Sequence, residues 1–107
     1  MNDTTYVEAA RMMAQRMLSE GGGKPEDRIV LGLRLAAGRR PDGNEMQVLL
    51  GDLQSQLDYF HGHPQEAAQL LAVGAKPGDP TLKAEELAAY AVIASLILNL
   101  DEVITKQ

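Results

Sequence analysis

The 107-residue chain contains no cysteine and no tryptophan, one phenylalanine and three tyrosines. Without a thiol it can form no disulfide, thiolate nucleophile, cysteine-ligated iron–sulfur cluster or covalent haem linkage. The absence selects no compartment. With aromatics at 4% and no stretch that alternates apolar and polar residues, strand formers are sparse. The apolar 45% consists mostly of Ala, Leu, Val, Ile and Met, which shifts the balance towards helix. Basic residues are also in deficit, with ten Lys and Arg against 15 Asp and Glu and a net charge of −5. That deficit argues against a nucleic-acid-binding face and against a polybasic membrane patch. The apolar runs Leu87 to Ala94 and Leu96 to Leu98 are interrupted by Ser95 and followed by Asn99, too short to span a bilayer. The opening MNDTTYVEAAR has no basic segment leading into an apolar run, so no signal peptide is read there.

The length suits one domain, 1–107, able to bury roughly two thirds of its unfolded surface. What organises it is the stretch from Ala84 to about Thr105. Wound as an α-helix, it is apolar nearly all round, leaving only a narrow strip of Ala88, Ser95, Asn99 and Glu102. Such a helix must be covered on several sides, so the rest of the chain is expected to pack around it.

Local signals divide that remainder into four further helices. Thr5 and Glu8 read as a capping box for a first helix from Tyr6 to about Glu20, with Tyr6, Val7, Ala10, Met13, Ala14, Met17 and Leu18 as its apolar stripe. Glu8, Arg11, Gln15 and Ser19 face away, and Met12 reads as exposed. Gly21-Gly22-Gly23 stops this helix. Pro25, with Glu26 and Asp27 in the first turn, opens a second helix that Gly38 closes. Its main face is Ile29, Val30, Leu33, Ala36 and Ala37. Leu31 and Leu35 form another, so it is expected to be sandwiched. Asp42 and Glu45 make a second capping box for Gly43 to Phe60, a one-sided helix ending before Gly62. Pro64 opens a short fourth helix, Gln65 to Val73, and Gly74 ends it. Leu82 and Leu87 stand at the spacing of a hydrophobic staple around Lys83, which places the last helix's start near Ala84. The fold class read from these signals is all-α, a five-helix orthogonal or irregular bundle around the C-terminal helix.

Several runs, in this order and spacing, resemble one family. They are Asn2-Asp3-x-x-Tyr6-Val7-Glu8-Ala9-Ala10-Arg11, Asp27-Arg28-Ile29 with Arg34-Leu35-Ala36-x-Gly38-Arg39, Leu70-Leu71-Ala72-Val73-Gly74, and Leu98-Asn99-Leu100-Asp101-Glu102-Val103-Ile104-Thr105-Lys106. The set resembles the carboxy-terminal end of a planctomycete domain of unknown function found in large exported proteins, many of which carry a cytochrome c domain nearer the N-terminus. The family usually has Phe where Tyr6 stands, and a second proline in the turn occupied here by Arg40-Pro41-Asp42. The resemblance implies a C-terminal fragment of an exported parent and carries over no catalytic residue.

Candidate sites are few. His61-Gly62-His63, with Asp58 preceding, is the one cluster of metal-ligand residue types, although its position at a helix end favours an ordinary turn with two exposed histidines. Arg39-Arg40 suits the carboxyl end of the second helix, or an anion. Gly21-Gly22-Gly23-Lys24 lacks both the strand and the spacing of a phosphate-binding loop. Glu85-Glu86 fits the first turn of a helix, while Glu102 joins Ser95 and Asn99 on the polar strip, where packing hydrogen bonds are the simpler use. A helix-turn-helix reading around Arg39-Arg40 is opposed by Glu45 and Asp52. No catalytic residue, cofactor or metal is assigned. The expected role is a structural or interaction module that contacts the parent's other domains, with Leu31 and Leu35 as the docking candidates. If their face stays uncovered, the isolated fragment can pair with itself as a homodimer. The alternative is a module supporting an enzyme whose active site lies in upstream sequence.

Overall fold

In a computed structural model, the structure describes residues 4–72 and 81–106, with side chains over 7–72 and 81–100. The stop at Gly74, the AKPGDP loop and the side chains of Thr5, Tyr6, Asp101 and Glu102 lie outside the described residues. The described elements are α1 (Thr4–Glu20), α2 (Pro25–Ala37), α3 (Gly43–Gly62), α4 (Pro64–Leu71) and α5 (Ala84–Lys106), with no strand among them.

The local punctuation accounts for most of these limits. Gly38 closes α2 in the left-handed region at φ 69°, its N–H donating to the Arg34 carbonyl. Asp42 accepts from the Glu45 N–H at 2.8 Å, and the Glu45 carboxylate accepts from the Asp42 N–H at 3.0 Å, which is the reciprocal capping box read from the sequence. At the head of α5 the Leu87 N–H donates to the Lys83 carbonyl at 2.9 Å. Three limits differ. α1 already includes Thr4, so Thr5 lies inside the helix and is not its cap; α3 runs on past Phe60 through Gly62, which does not break it; and α4 takes in Pro64 and ends at Leu71.

α5 forms the centre. Leu87, Ala88, Ala89, Tyr90, Ala91, Ile93, Ala94 and Ile97 are all buried, and α1 is its principal partner, with α3, α4 and α2 completing the cover. From α1 the core takes Ala10, Met13, Ala14, Met17 and Leu18, from α2 Ile29 and Leu33, and from α3 Leu49, Leu53 and Phe60. Each fully buried aliphatic side chain among these contributes on the order of 1.5–3 kcal/mol of transfer free energy. The small residues Ala88, Ala89, Ala91 and Ala94 let neighbouring helices come close to the α5 backbone.

Three expectations from the periodicity are corrected. Arg11 does not face away: it is 2% exposed, and its Nη1 donates to the Leu71 carbonyl at 2.9 Å. The guanidinium thereby supplies a donor to the carboxyl end of α4, where helix carbonyls lack intrahelical partners. α2 is not sandwiched. Ile29, Gly32 and Leu33 point inward, while Leu31 is half-buried and Leu35 exposed. The strip on α5 is not uniform, since Ala88 is sealed in the core, Ser95 is half-buried and Asn99 is exposed.

α1 and α2 meet across a turn that only glycine fits. A Cβ on Gly21 would stand 2.5 Å from the Met17 carbonyl oxygen and 2.9 Å from the Arg28 Cα. Arg28 then fastens the same corner: its Nε donates to the Gly22 carbonyl at 2.8 Å, its Nη1 reaches the Tyr90 hydroxyl at 3.3 Å, and its guanidinium carbon lies 5.4 Å from the centre of the Tyr90 ring. Gly21→Ala is expected to cost about 1–3 kcal/mol because backbone, not a flexible side-chain end, must move. Urea denaturation checks this, with Gly23→Ala, whose Cβ would meet nothing within 4 Å, as the control that stays close to wild type.

Candidate functional site

Two surface features gather the residues with chemical potential. The first is an open cleft of about 560 Å³ where the end of α3 passes the start of α5, lined by Leu57, Asp58, His61, Lys83, Glu85 and Glu86. It brings together the α3 cluster and the Glu85-Glu86 pair, which are remote in sequence. Asp58 and His61 are exposed and Glu85 and Glu86 half-buried, so their charges act through water and are screened. Asp58 accepts a hydrogen bond from Gln54 Nε2 at 3.1 Å. Lys83 offsets part of the acidity.

His63 is not part of this cleft. Its ring stacks on Tyr59, centroids 4.2 Å apart and planes 11° from parallel, and its Nδ1 stands 2.7 Å from the Tyr59 carbonyl oxygen. Nδ1 therefore carries the proton, and the Tyr59 hydroxyl donates to Glu66 at 2.5 Å, tying α3 to α4 across the turn. That bond to Glu66 raises the Tyr59 pKa. The structure thus separates His61 from His63, one in the cleft and the other in the interhelical joint. Among the described residues no three His, Asp or Glu side chains converge as a metal site.

Arg39 is engaged rather than open to an anion. Its Nη1 and Nη2 donate to the two Glu45 oxygens at 2.7 and 2.8 Å, a bidentate pair that locks the α2–α3 turn onto the capping box. The Arg39 hydrogen bonds, with the Asp42 N–H second, hold the Glu45 pKa down at about 2. Arg40 is exposed and lines a mixed-charge depression of about 280 Å³ with Glu20, Asp27, Leu31 and Arg34. The glycine-rich turn before Lys24 serves the α1–α2 corner, with Gly22 at φ 84°.

The second feature escaped the periodicity. A groove of about 270 Å³ runs between α3 and α5, lined by Val48, Leu49, Asp52, Leu96, Asn99 and Leu100. Val48 is 61% exposed, Leu96 36% and Leu100 37%. Val48 stands off the α3 stripe, and Leu96 and Leu100 lie on a side of α5 left exposed among the described residues, although Ile97 between them is fully buried. An apolar residue outside its helix's stripe was the available signal, but the meeting of α3 with α5 is not a local property. Of the docking candidates read earlier, Leu35 is exposed on α2 and Leu31 lies in the mixed-charge depression, neither in this groove.

No protein-family model matches the chain, and neither a curated protein nor a solved structure was found to match it. No helix among the described residues is long and apolar enough to cross a membrane.

Two outcomes follow from this geometry. Because folding lowers the Glu45 pKa, its contribution is complete above the ordinary value of 4.5 and is lost as pH falls through about 2. Glu45→Gln should therefore cost about 1 kcal/mol at neutral pH, through the weakened cap and ion pair together. That gap should close in urea melts taken at successively lower pH through this window. Separately, calorimetric titration with zinc is expected to show no submicromolar binding, and His61→Ala should leave the titration unchanged.

Proposed function

We propose that this chain is a non-catalytic helical interaction module, the C-terminal structural part of a larger exported protein, docking to other parts of that protein. The observation that carries the reading is the α3–α5 groove, where Val48, Leu96 and Leu100 stand together in water without a covering element among the described residues. Grouped apolar exposure of this kind marks contact surfaces, whereas single exposed side chains such as Met12 are ordinary. Docking therefore runs through α3 and α5 rather than through Leu31 and Leu35. The role in an exported parent comes from the family resemblance.

A second reading, support for an enzyme whose reacting groups lie on other sequence, draws on the charged cleft of Asp58, His61, Lys83, Glu85 and Glu86. The two readings place function on different surfaces. Solution NMR with isopropanol as a small apolar probe separates them. Saturable shifts are expected at Val48, Leu96 and Leu100, and Val48→Gln should weaken them while changing stability by less than about 0.5 kcal/mol. Shifts spread evenly over the surface, or gathered on the charged cleft, would refute the docking reading.

A further inference from the structure

The groove lies on the half of the molecule where acid outnumbers base, with six carboxylates on α3, α4 and α5 up to Leu100 against Arg39, Arg40 and Lys83 in the flanking turns. α3 holds Glu45, Asp52 and Asp58 without a lysine or arginine, and α5 from Ala84 to Leu100 holds Glu85 and Glu86, again without either. α4 adds Glu66 and no base. The helical arginines, Arg11, Arg16, Arg28 and Arg34, all belong to α1 and α2, where Glu8, Glu20, Glu26 and Asp27 equal them in number. Within the acidic half, Arg39 neutralises Glu45. Asp52 lines the groove itself, half-buried, and takes part in no ion pair among the described residues.

Resting on the docking reading above, we infer that the α3–α5 groove takes a basic amphipathic helix from a partner. Its apolar ridge enters between Val48 and the Leu96–Leu100 pair, and a lysine or arginine beside that ridge meets Asp52. A helical occupant fits because both walls are helices one turn apart in their exposed contacts, Leu96 to Leu100 being an i,i+4 step, and ridges of a third helix pack into such a seam. No sheet edge among the described residues offers the main-chain pairing an extended peptide would need. A second copy of this chain is the poorer occupant. Each copy carries −5 overall, and in a symmetric pairing Asp52 and the other acids of α3 and α5 would face their own kind.

The test uses the full chain and two synthetic helical peptides with the same leucine ridge, one flanked by lysines and the other by glutamates. The lysine peptide is expected to bind saturably, with NMR shifts centred on Val48, Leu96 and Leu100, and to bind at least about tenfold more tightly than the glutamate peptide at low salt. Asp52→Asn should weaken the lysine peptide about threefold, and added salt should remove most of that difference. Val48→Gln should weaken both peptides, which separates ridge contact from general attraction to an acidic protein. Equal affinity for the two peptides, or shifts centred outside the groove, would overturn the inference. If isopropanol still gathers at Val48, Leu96 and Leu100 while neither peptide binds there, the basic-helix inference falls and the docking reading stands. If the isopropanol shifts are absent as well, both fall.

Discussion

Between Leu87 and Ile97 the last helix keeps most of its circumference out of water, and the other four helices are arranged by that requirement. A helix apolar on one side needs one neighbour. This one needs several, and α1, α3, α4 and α2 supply them in turn. The alanines at 88, 89, 91 and 94 matter as much as the larger residues, since they let the covering helices sit close enough for Met17, Ile29, Leu33 and Leu53 to fill the space between. Polar groups then fasten the corners. Arg28 ties the α1–α2 turn to Tyr90, Arg39 ties the α2–α3 turn to Glu45, and Tyr59 and His63 tie α3 to α4.

The same constraint explains where the surface features lie. Ile97 stays fully buried while Leu96 and Leu100, on another side of α5, are left at the rim beside Val48. Arginines and carboxylates balance on α1 and α2, whereas α3, α4 and α5 up to Leu100 hold carboxylates without a lysine or arginine, so the apolar rim sits in a mainly negative field. In the charged cleft Asp58 and His61 are exposed, while Glu85 and Glu86 are half-buried.

How much of this the sequence disclosed depended on distance along the chain. The Asp42–Glu45 box, the Gly38 stop and the start of α5 near Ala84 were legible because each is settled within a few residues. The buried face of α5 was legible because almost every choice of face was apolar. Arg11 was not, because its carbonyl partner at Leu71 lies 60 positions away and an arginine outside the stripe reads as solvated. Capping and surface pairing was the readier reading of Arg39, but no partner was named for it, although Glu45, already identified as a capping residue, lay within reach of the turn. α2 was expected to need two covers because Leu31 and Leu35 were read as a second apolar face, whereas a leucine at the surface is ordinary. The groove depended on which two helices meet, and no local pattern encodes that.

The pairing of α1 with α5 has a consequence for how the molecule comes into being. The helix nearest the amino end takes its main cover from the one nearest the carboxyl end. During synthesis α1 therefore has to wait, its stripe of Ala10, Met13, Ala14 and Met17 open to water, until Leu87 to Ile97 has left the ribosome. Helical proteins commonly fold fast because their contacts are local, but here the decisive contact closes the longest loop the chain contains. Low aromatic content and a surplus of acid both lower the tendency of such an open stripe to aggregate over that interval.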